Sequence, residues 1–245
     1  MTAALITVLL FALLTIGMPV AFTLAFTGAL GLYLVGGWEA MAGVLSTAPL
    51  STASTYELIS VPLFILMAEF VIMSGVADNL FKAAATWVGR VPGGLAMATA
   101  LAGAGFGAIS GSSTASAATL SSTTMPAMLR QGYEPKLAGG VVAISGTLAM
   151  LIPPSIALVL YGIIADVSIG ALLIGGVIPG ILVMLVIIAT VWVLVTLNPA
   201  TAPRGEAYTL RQKLASLRVV GPMVFLFMAV TGVIYTGIAT PTEAS

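Results

Sequence analysis

From Thr2 to Trp38, and again from Gly170 to Leu197, no residue carries a charge. A bilayer core about 30 Å thick is crossed by about 20 apolar residues in a helix rising about 1.5 Å per residue. Runs this long are membrane spans, and in lipid a spanning backbone must bond to itself, as a helix does. The whole chain agrees, being 60% hydrophobic and only 7% charged, where a soluble domain carries about 25% charged residues. The fold class is therefore an all-α polytopic membrane protein. Cysteine and histidine are both absent, which removes disulfides, thiol catalysis, zinc sites and any Ser-His dyad. A net charge of zero gives no reason to expect a polyanionic partner.

Residues 2–36 are too long for one crossing. Gly17-Met18-Pro19 divides them into helices over 2–17 and 19–36, and Gly36-Gly37 ends the second. The first run lacks a basic leader region, so it reads as a mature helix and not a cleaved signal. Residues 38–58 hold Trp38, Glu39, Tyr56 and Glu57 and suit the interface. Residues 59–77 form the next crossing, with Glu69 inside it. Asp78 is placed to cap an amphipathic helix, within a segment 78–92 carrying Lys82, Trp87 and Arg90. Gly93 to about Met128 is apolar but broken at 110–116 by small hydroxyl residues; two short arms with a charged far end predict a re-entrant hairpin over 93–129. Residues 137–197 hold a helix broken at Pro153-Pro154, a loop with Asp166, and a span kinked at Pro179. A polar linker, 198–218, precedes the last span.

All eight basic residues fall in 78–92, 130–136 and 199–218. Lys and Arg concentrate in cytoplasmic loops, and these three segments share one side only if 93–129 enters and returns. The N-terminus is then outside.

The stretch Ser110–Ser155 concentrates hydroxyls and glycines in an otherwise oily chain. Small residues also serve close helix packing, and hydroxyls bond back to their own helix; that reading is preferred for Ser121, Ser122, Thr123 and Thr124. At the tip, Ser110-Gly111-Ser112-Ser113, the preference reverses. A reversal at membrane depth presents free carbonyls and hydroxyls, which are hard oxygen ligands for a small cation. Two successive prolines remove two backbone donors and leave carbonyls near 149–151 unpaired, so Pro153-Pro154 is read as a ligand-bearing break. Paired breaks of this kind are where secondary transporters bind ion and substrate. Glu69 stands open between an ion or proton carrier and a structural acid. Glu39, Glu57 and Asp166 read as solvated loop charges.

The run GAISGSSTASAATLSSTTMPAMLRQGYEPKLAGGVVAISGTLAMLIPPS, with the closing TGIATPTEAS, resembles the large membrane subunit of TRAP (tripartite ATP-independent periplasmic) transporters. The SGSS tip, the GY-acid-P turn, the SGTL segment and the IPPS break stand in that family's order. The resemblance implies one inverted-repeat half of an elevator-type fold. Residues 1–77 would then be scaffold, 93–129 the transport-domain hairpin and 219–245 the start of a second repeat. It implies import of an organic acid such as a C4-dicarboxylate, delivered by a periplasmic binding protein. Sodium would drive the import, a small four-helix membrane subunit would stand alongside, and the site would be the cell inner membrane. It places a sodium site between Ser110, Gly111, Ser112, Ser113 and Gly146, Thr147, Ile152, Pro153, with Ser110, Ser112 and Thr147 as hydroxyl ligands. Substrate would meet Ser113, Thr114, Pro154 and Ser155. No enzymatic activity and no cofactor beyond the coupling ion are implied. Family members are much longer, so the sequence is expected to be an N-terminal half, fragment or truncated gene, unable to transport by itself.

Two other classes compete with this reading. An ion-channel pore subunit would use the tip as a selectivity filter, and needs a symmetric oligomer. An intramembrane serine protease lacks a base, since the three lysines lie in charged segments away from the tip.

Overall fold

A computed structural model describes residues 2–203, 205, 207–238, 240 and 243, the side chain of Glu57 aside. The described residues are helical and strand-free, as an apolar chain of this composition requires. Two compact units divide at Tyr56. The first holds α1 (Thr2–Thr15) and α2 (Val20–Ala53). Gly37 interrupts α2 with φ +74°, so the expected break is present. The chain resumes helix beyond it, which supplies the helical pieces expected of 38–58.

The second unit is built around α5 (Gly94–Ser110). It is preceded by α3 (Ser60–Met73) and α4 (Val76–Val88), which meet at 64°. It is followed by α6 (Ser113–Thr123), α7 (Met125–Arg130), α8 (Pro135–Thr147), a 3-10 turn at Leu148–Met150 and α9 (Ile156–Ala165). The long helices α10 (Ile169–Leu197) and α11 (Leu210–Tyr235) complete it. Among the described residues, α2, α10 and α11 are long and apolar enough to span a bilayer, and the bent α3–α4 pair makes a fourth candidate. α10 runs on through Pro179.

Most of α5 is buried, and its residues explain why. Gly, Ala and Ser let helix backbones approach closely where lipid gives no hydrophobic drive. A Cβ at Gly103 would stand 2.9 Å from the Ser145 carbonyl oxygen, and one at Gly107 would stand 2.8 Å from Ala149 Cα. Leu120 closes on Gly103, and at the start of α5 Val191 and Val195 close on Gly93; Phe106 and Met128 belong to the same buried core.

Two boundaries move. The expected cap at Asp78 is instead Gly75, with φ +71°, and Asp78 lies in the first turn of α4, where its charge complements the helix dipole. The expected linker 198–218 becomes helix from Leu210, because Thr209 and Gln212 form a capping box. The Thr209 N–H donates to Gln212 Oε1 at 2.8 Å.

The three basic segments meet at one end of this unit. Lys213 Nζ donates to the Trp87 carbonyl at 3.5 Å and lies 5.7 Å from the Trp87 ring centroid. Gly205 N–H donates to the Gly89 carbonyl at 3.1 Å, and Glu134 N–H donates to the Thr201 carbonyl at 2.9 Å. The buried Tyr133 hydroxyl accepts from Leu95 N–H at 3.1 Å, serving as the cap that Gly93 cannot provide. Burial pushes the Tyr133 phenol up from its ordinary value, against a lowering pull from that hydrogen bond.

Candidate functional site

The hairpin and the broken helix touch at their breaks. Gly111 ends α5 with φ +59°, a left-handed conformation that only glycine adopts freely. Ser112, extended, caps α6 by accepting from Ala115 N–H at 3.4 Å, and pairs with Thr114 Oγ1 at 3.2 Å. The tip is closed from inside by Ser110 Oγ and Ser116 Oγ, 2.8 Å apart and both fully buried.

The chain from Leu151 to Ser155 is non-helical, and Pro153-Pro154 is a cis peptide. Ser155 bridges the gap. Its hydroxyl donates to the Met150 carbonyl at 2.8 Å and accepts from Leu158 N–H at 3.4 Å. α10 backs the break with two glycines. A Cβ at Gly176 would lie 2.5 Å from the Leu151 carbonyl oxygen, and one at Gly180 would lie 2.6 Å from Ile152 Cγ1.

The contact between the two breaks is direct. Ile156 N–H, the first of α9, donates to the Gly111 carbonyl at 3.2 Å. A Cβ on Gly111 would come within 2.7 Å of the Pro154 carbonyl oxygen. Gly146 packs against the second hairpin arm, where a Cβ would meet Ala117 Cβ at 2.7 Å. The C-terminal end of α5 thus lies beside the N-terminal ends of α6 and α9. The first carries partial negative charge and favours a cation; the other two carry partial positive charge and favour an anion.

Sequence reasoning named Ser110, Gly111, Ser112, Ser113, Pro153, Pro154 and Ser155, and the structure gathers them on these two facing breaks. Ser112 and Ser113 are partly exposed and Thr114 is exposed, whereas Ile152, Pro153, Pro154 and Ser155 are buried. Gly146 belongs to the arm contact and not to the tip. Thr147 is exposed and donates to the Ile144 carbonyl of its own helix at 2.7 Å. Ser122, Thr123 and Thr124 likewise bond back to Thr119 and Leu120, the packing role expected of them.

Two serines were missed. Ser116 partners Ser110 across the turn. Ser145 Oγ is buried with no hydrogen-bond partner among the described residues, packed on Gly103. Gly103 precedes Ser110 by seven residues, about 10 Å along a helix, so Ser145 stands apart from the tip. Among the described residues no group of three His, Cys, Asp or Glu could hold a metal, and the oxygens that Ser110, Gly111, Ser112 and Ser113 offer at the tip are neutral.

The family model described as "Tripartite ATP-independent periplasmic transporter, DctM component" matches residues 7–245. The chain belongs to that family. Among its relatives is the C4-dicarboxylate TRAP transporter large permease protein DctM of Vibrio cholerae. That protein is 34% identical over 248 residues, covering 100% of this chain and 53% of the relative. The protein of the same name from Pseudomonas aeruginosa is 38% identical over 194 residues, covering 79% of this chain and 45% of its own length. The ectoine TRAP transporter large permease protein TeaC of Halomonas elongata is 34% identical over 238 residues, 95% of this chain and 54% of TeaC. The chain spans about half the length of the curated relatives it matches.

Proposed function

We propose that this DctM-family chain is the N-terminal half of a large permease subunit in a sodium-driven TRAP transporter. The transporter imports an organic acid of the C4-dicarboxylate kind. A periplasmic binding protein delivers the acid, and a small four-helix membrane subunit completes the complex in the inner membrane. The fold would be one inverted repeat of an elevator: residues 93–129 a re-entrant hairpin, the N-terminus periplasmic.

One observation carries the reading, the hydrogen bond from Ile156 N–H to the Gly111 carbonyl. It holds a hairpin reversal against a helix break, so helix ends of opposite partial charge lie side by side. Sodium takes carbonyl and hydroxyl oxygens at the negative end, with Ser110, Gly111, Ser112, Ser113, Ile152 and Pro153 supplying or shaping the shell; Gly146 seats the broken helix on the second hairpin arm, and Thr147 joins the shell only by releasing the Ile144 carbonyl. The carboxylate of the substrate takes the N-terminal ends, beside Ser113, Thr114, Pro154 and Ser155. An ion bound at the α5 end lowers the cost of the anion next to it, which couples the two. Relatives named for C4-dicarboxylates support the substrate class; others are named for ectoine and sialic acid.

The test is sodium-dependent uptake by the full-length subunit, reconstituted with its small subunit and binding protein. Ser112 is partly exposed at the tip, and Ser112→Ala removes one oxygen. A hydrogen bond to a charged group sets the scale at about 1.5–3 kcal/mol, so apparent sodium affinity should fall about tenfold or more, with excess sodium restoring part of the rate. Ser110→Ala should fall further, because Ser116 loses its partner as well. Wild-type sodium curves in both variants would make the tip a packing element only.

A further inference from the structure

The buried face of α10 carries Leu173, Ile187, Val191 and Val195, and between the first two it drops to glycine, at Gly176 and Gly180. Both glycines stand against the broken segment. Gly176 faces backbone: a Cβ there would lie 2.5 Å from the Leu151 carbonyl oxygen and 3.6 Å from the carbonyl carbon. Gly180 faces a side chain, with Ile152 Cγ1 at 2.6 Å from such a Cβ. Gly175, next along the same helix, is exposed and has nothing within 4 Å of where its Cβ would stand.

Contact at Leu151 matters because the segment from there to Ile156 is braced to move as a piece. Proline fixes φ at both 153 and 154. Ser155 ties the two sides of the gap, donating to the Met150 carbonyl at 2.8 Å and accepting from Leu158 N–H at 3.4 Å. The far end meets the hairpin, where Ile156 N–H donates to the Gly111 carbonyl at 3.2 Å. Close-packed interiors resist compression and transmit strain. A displacement of the Leu151 carbonyl therefore reaches the hairpin tip.

We propose that Gly176 is a positioning residue for the sodium shell: by leaving room for the Leu151 carbonyl, it sets how the break seats on the hairpin tip, and so how tightly sodium is held. The sodium shell itself rests on the proposed function. Gly176 has no side chain to offer the ion and acts through the break. Any side chain at 176 meets main chain, which cannot rotate aside, so the break must give way. The obstacle at Gly180 is a side chain, which yields more easily.

The probe is sodium alone, titrated into the purified full-length subunit with its small subunit, choline chloride holding the ionic strength constant. A ligand that binds only the folded state raises the melting temperature by an amount set by its affinity, so the sodium dependence of melting yields a dissociation constant. Misplacing a bound geometry by about 1 Å costs about a hundredfold, and Gly176→Ala should raise that constant about tenfold or more. Gly180→Ala should raise it less, and Gly175→Ala should leave it at the wild-type value. A purely structural role would change the sodium-free melting temperature and leave the constant alone. That result for Gly176→Ala overturns the inference, as do equal constants for Gly175→Ala and Gly176→Ala. If Gly176→Ala is not monodisperse, Gly180→Ala decides, a raised constant supporting the inference and a wild-type constant overturning it. If the wild type gains no more from sodium than from choline, the sodium site of the proposed function falls and this inference with it. A wild-type response that Gly176→Ala retains in full defeats the inference alone.

Discussion

Gly111 meets two demands at once, a left-handed backbone and a neighbour too close for any side chain. Gly75 meets only the first: its φ is +71°, and nothing lies within 4 Å of where its Cβ would stand. The pair therefore separates backbone strain from crowding. Gly75→Ala should cost about 1–2 kcal/mol, the penalty of a left-handed L-residue. Gly111→Ala should cost about 2–4 kcal/mol, because the Pro154 carbonyl that blocks the new methyl is backbone and yields little. Denaturant unfolding of the purified, full-length subunit measures both, and equal losses would show that the tip is not pressed on the break. Both breaks were legible as residues, since a serine-glycine cluster and a proline pair interrupt apolar runs. Their contact was not legible, because it joins residues some 45 apart through the Ile156–Gly111 hydrogen bond. Gly103, Gly107 and Gly111 stand at the four-residue spacing of close helix packing, a signal in the residues that the sequence reading did not single out. Ser145 gave no such sign, since nothing local distinguishes a buried serine from one bonded to its own turn.

The broken element α8–α9 depends on what its two prolines withhold. With Pro153 and Pro154 in place, Ile156 N–H has no carbonyl four residues back in helical register, and it turns to Gly111 instead. Pro153→Ala with Pro154→Ala should let helix propagate across 151–155 and draw Ile156 N–H onto Ile152, the ordinary helical partner. The expected result is weaker sodium activation, with near-normal yield of folded protein. Unchanged sodium activation would reduce the break to a kink. At this scale the sequence reading placed the helices well and their ends less well. α11 begins at Leu210 because of a Thr209–Gln212 capping box, a signature visible in the residues but outweighed by the charges around it. α4 begins at Val76 because Gly75 can turn left-handed, and the kink at 64° follows from that residue and not from Asp78.

For the molecule as a whole the question is which way it sits in the membrane. α5 spans 17 residues, about 26 Å of helix, and α6 with α7 brings the chain back over 113–130, with Thr124 between them still in helical angles. The hairpin leaves from Gly94 and comes back to Arg130. Its two feet stand beside each other, tied by the Leu95–Tyr133 hydrogen bond at 3.1 Å. The linker joins them there through Gly89–Gly205, Glu134–Thr201 and Trp87–Lys213. A hairpin that returns to its own starting side keeps all eight cations together, and cations are retained on the cytoplasmic face. Single cysteines at Ala84, Gln131 and Gln212 test this in the full-length subunit, against a background that has none in these 245 residues. In intact cells an impermeant maleimide should leave all three unlabelled, and in inverted vesicles it should label all three. Labelling of Gln131→Cys from outside, with Ala84→Cys and Gln212→Cys protected, would mean that 93–129 crosses the bilayer. Labelling of all three from outside would keep the hairpin and reverse the orientation.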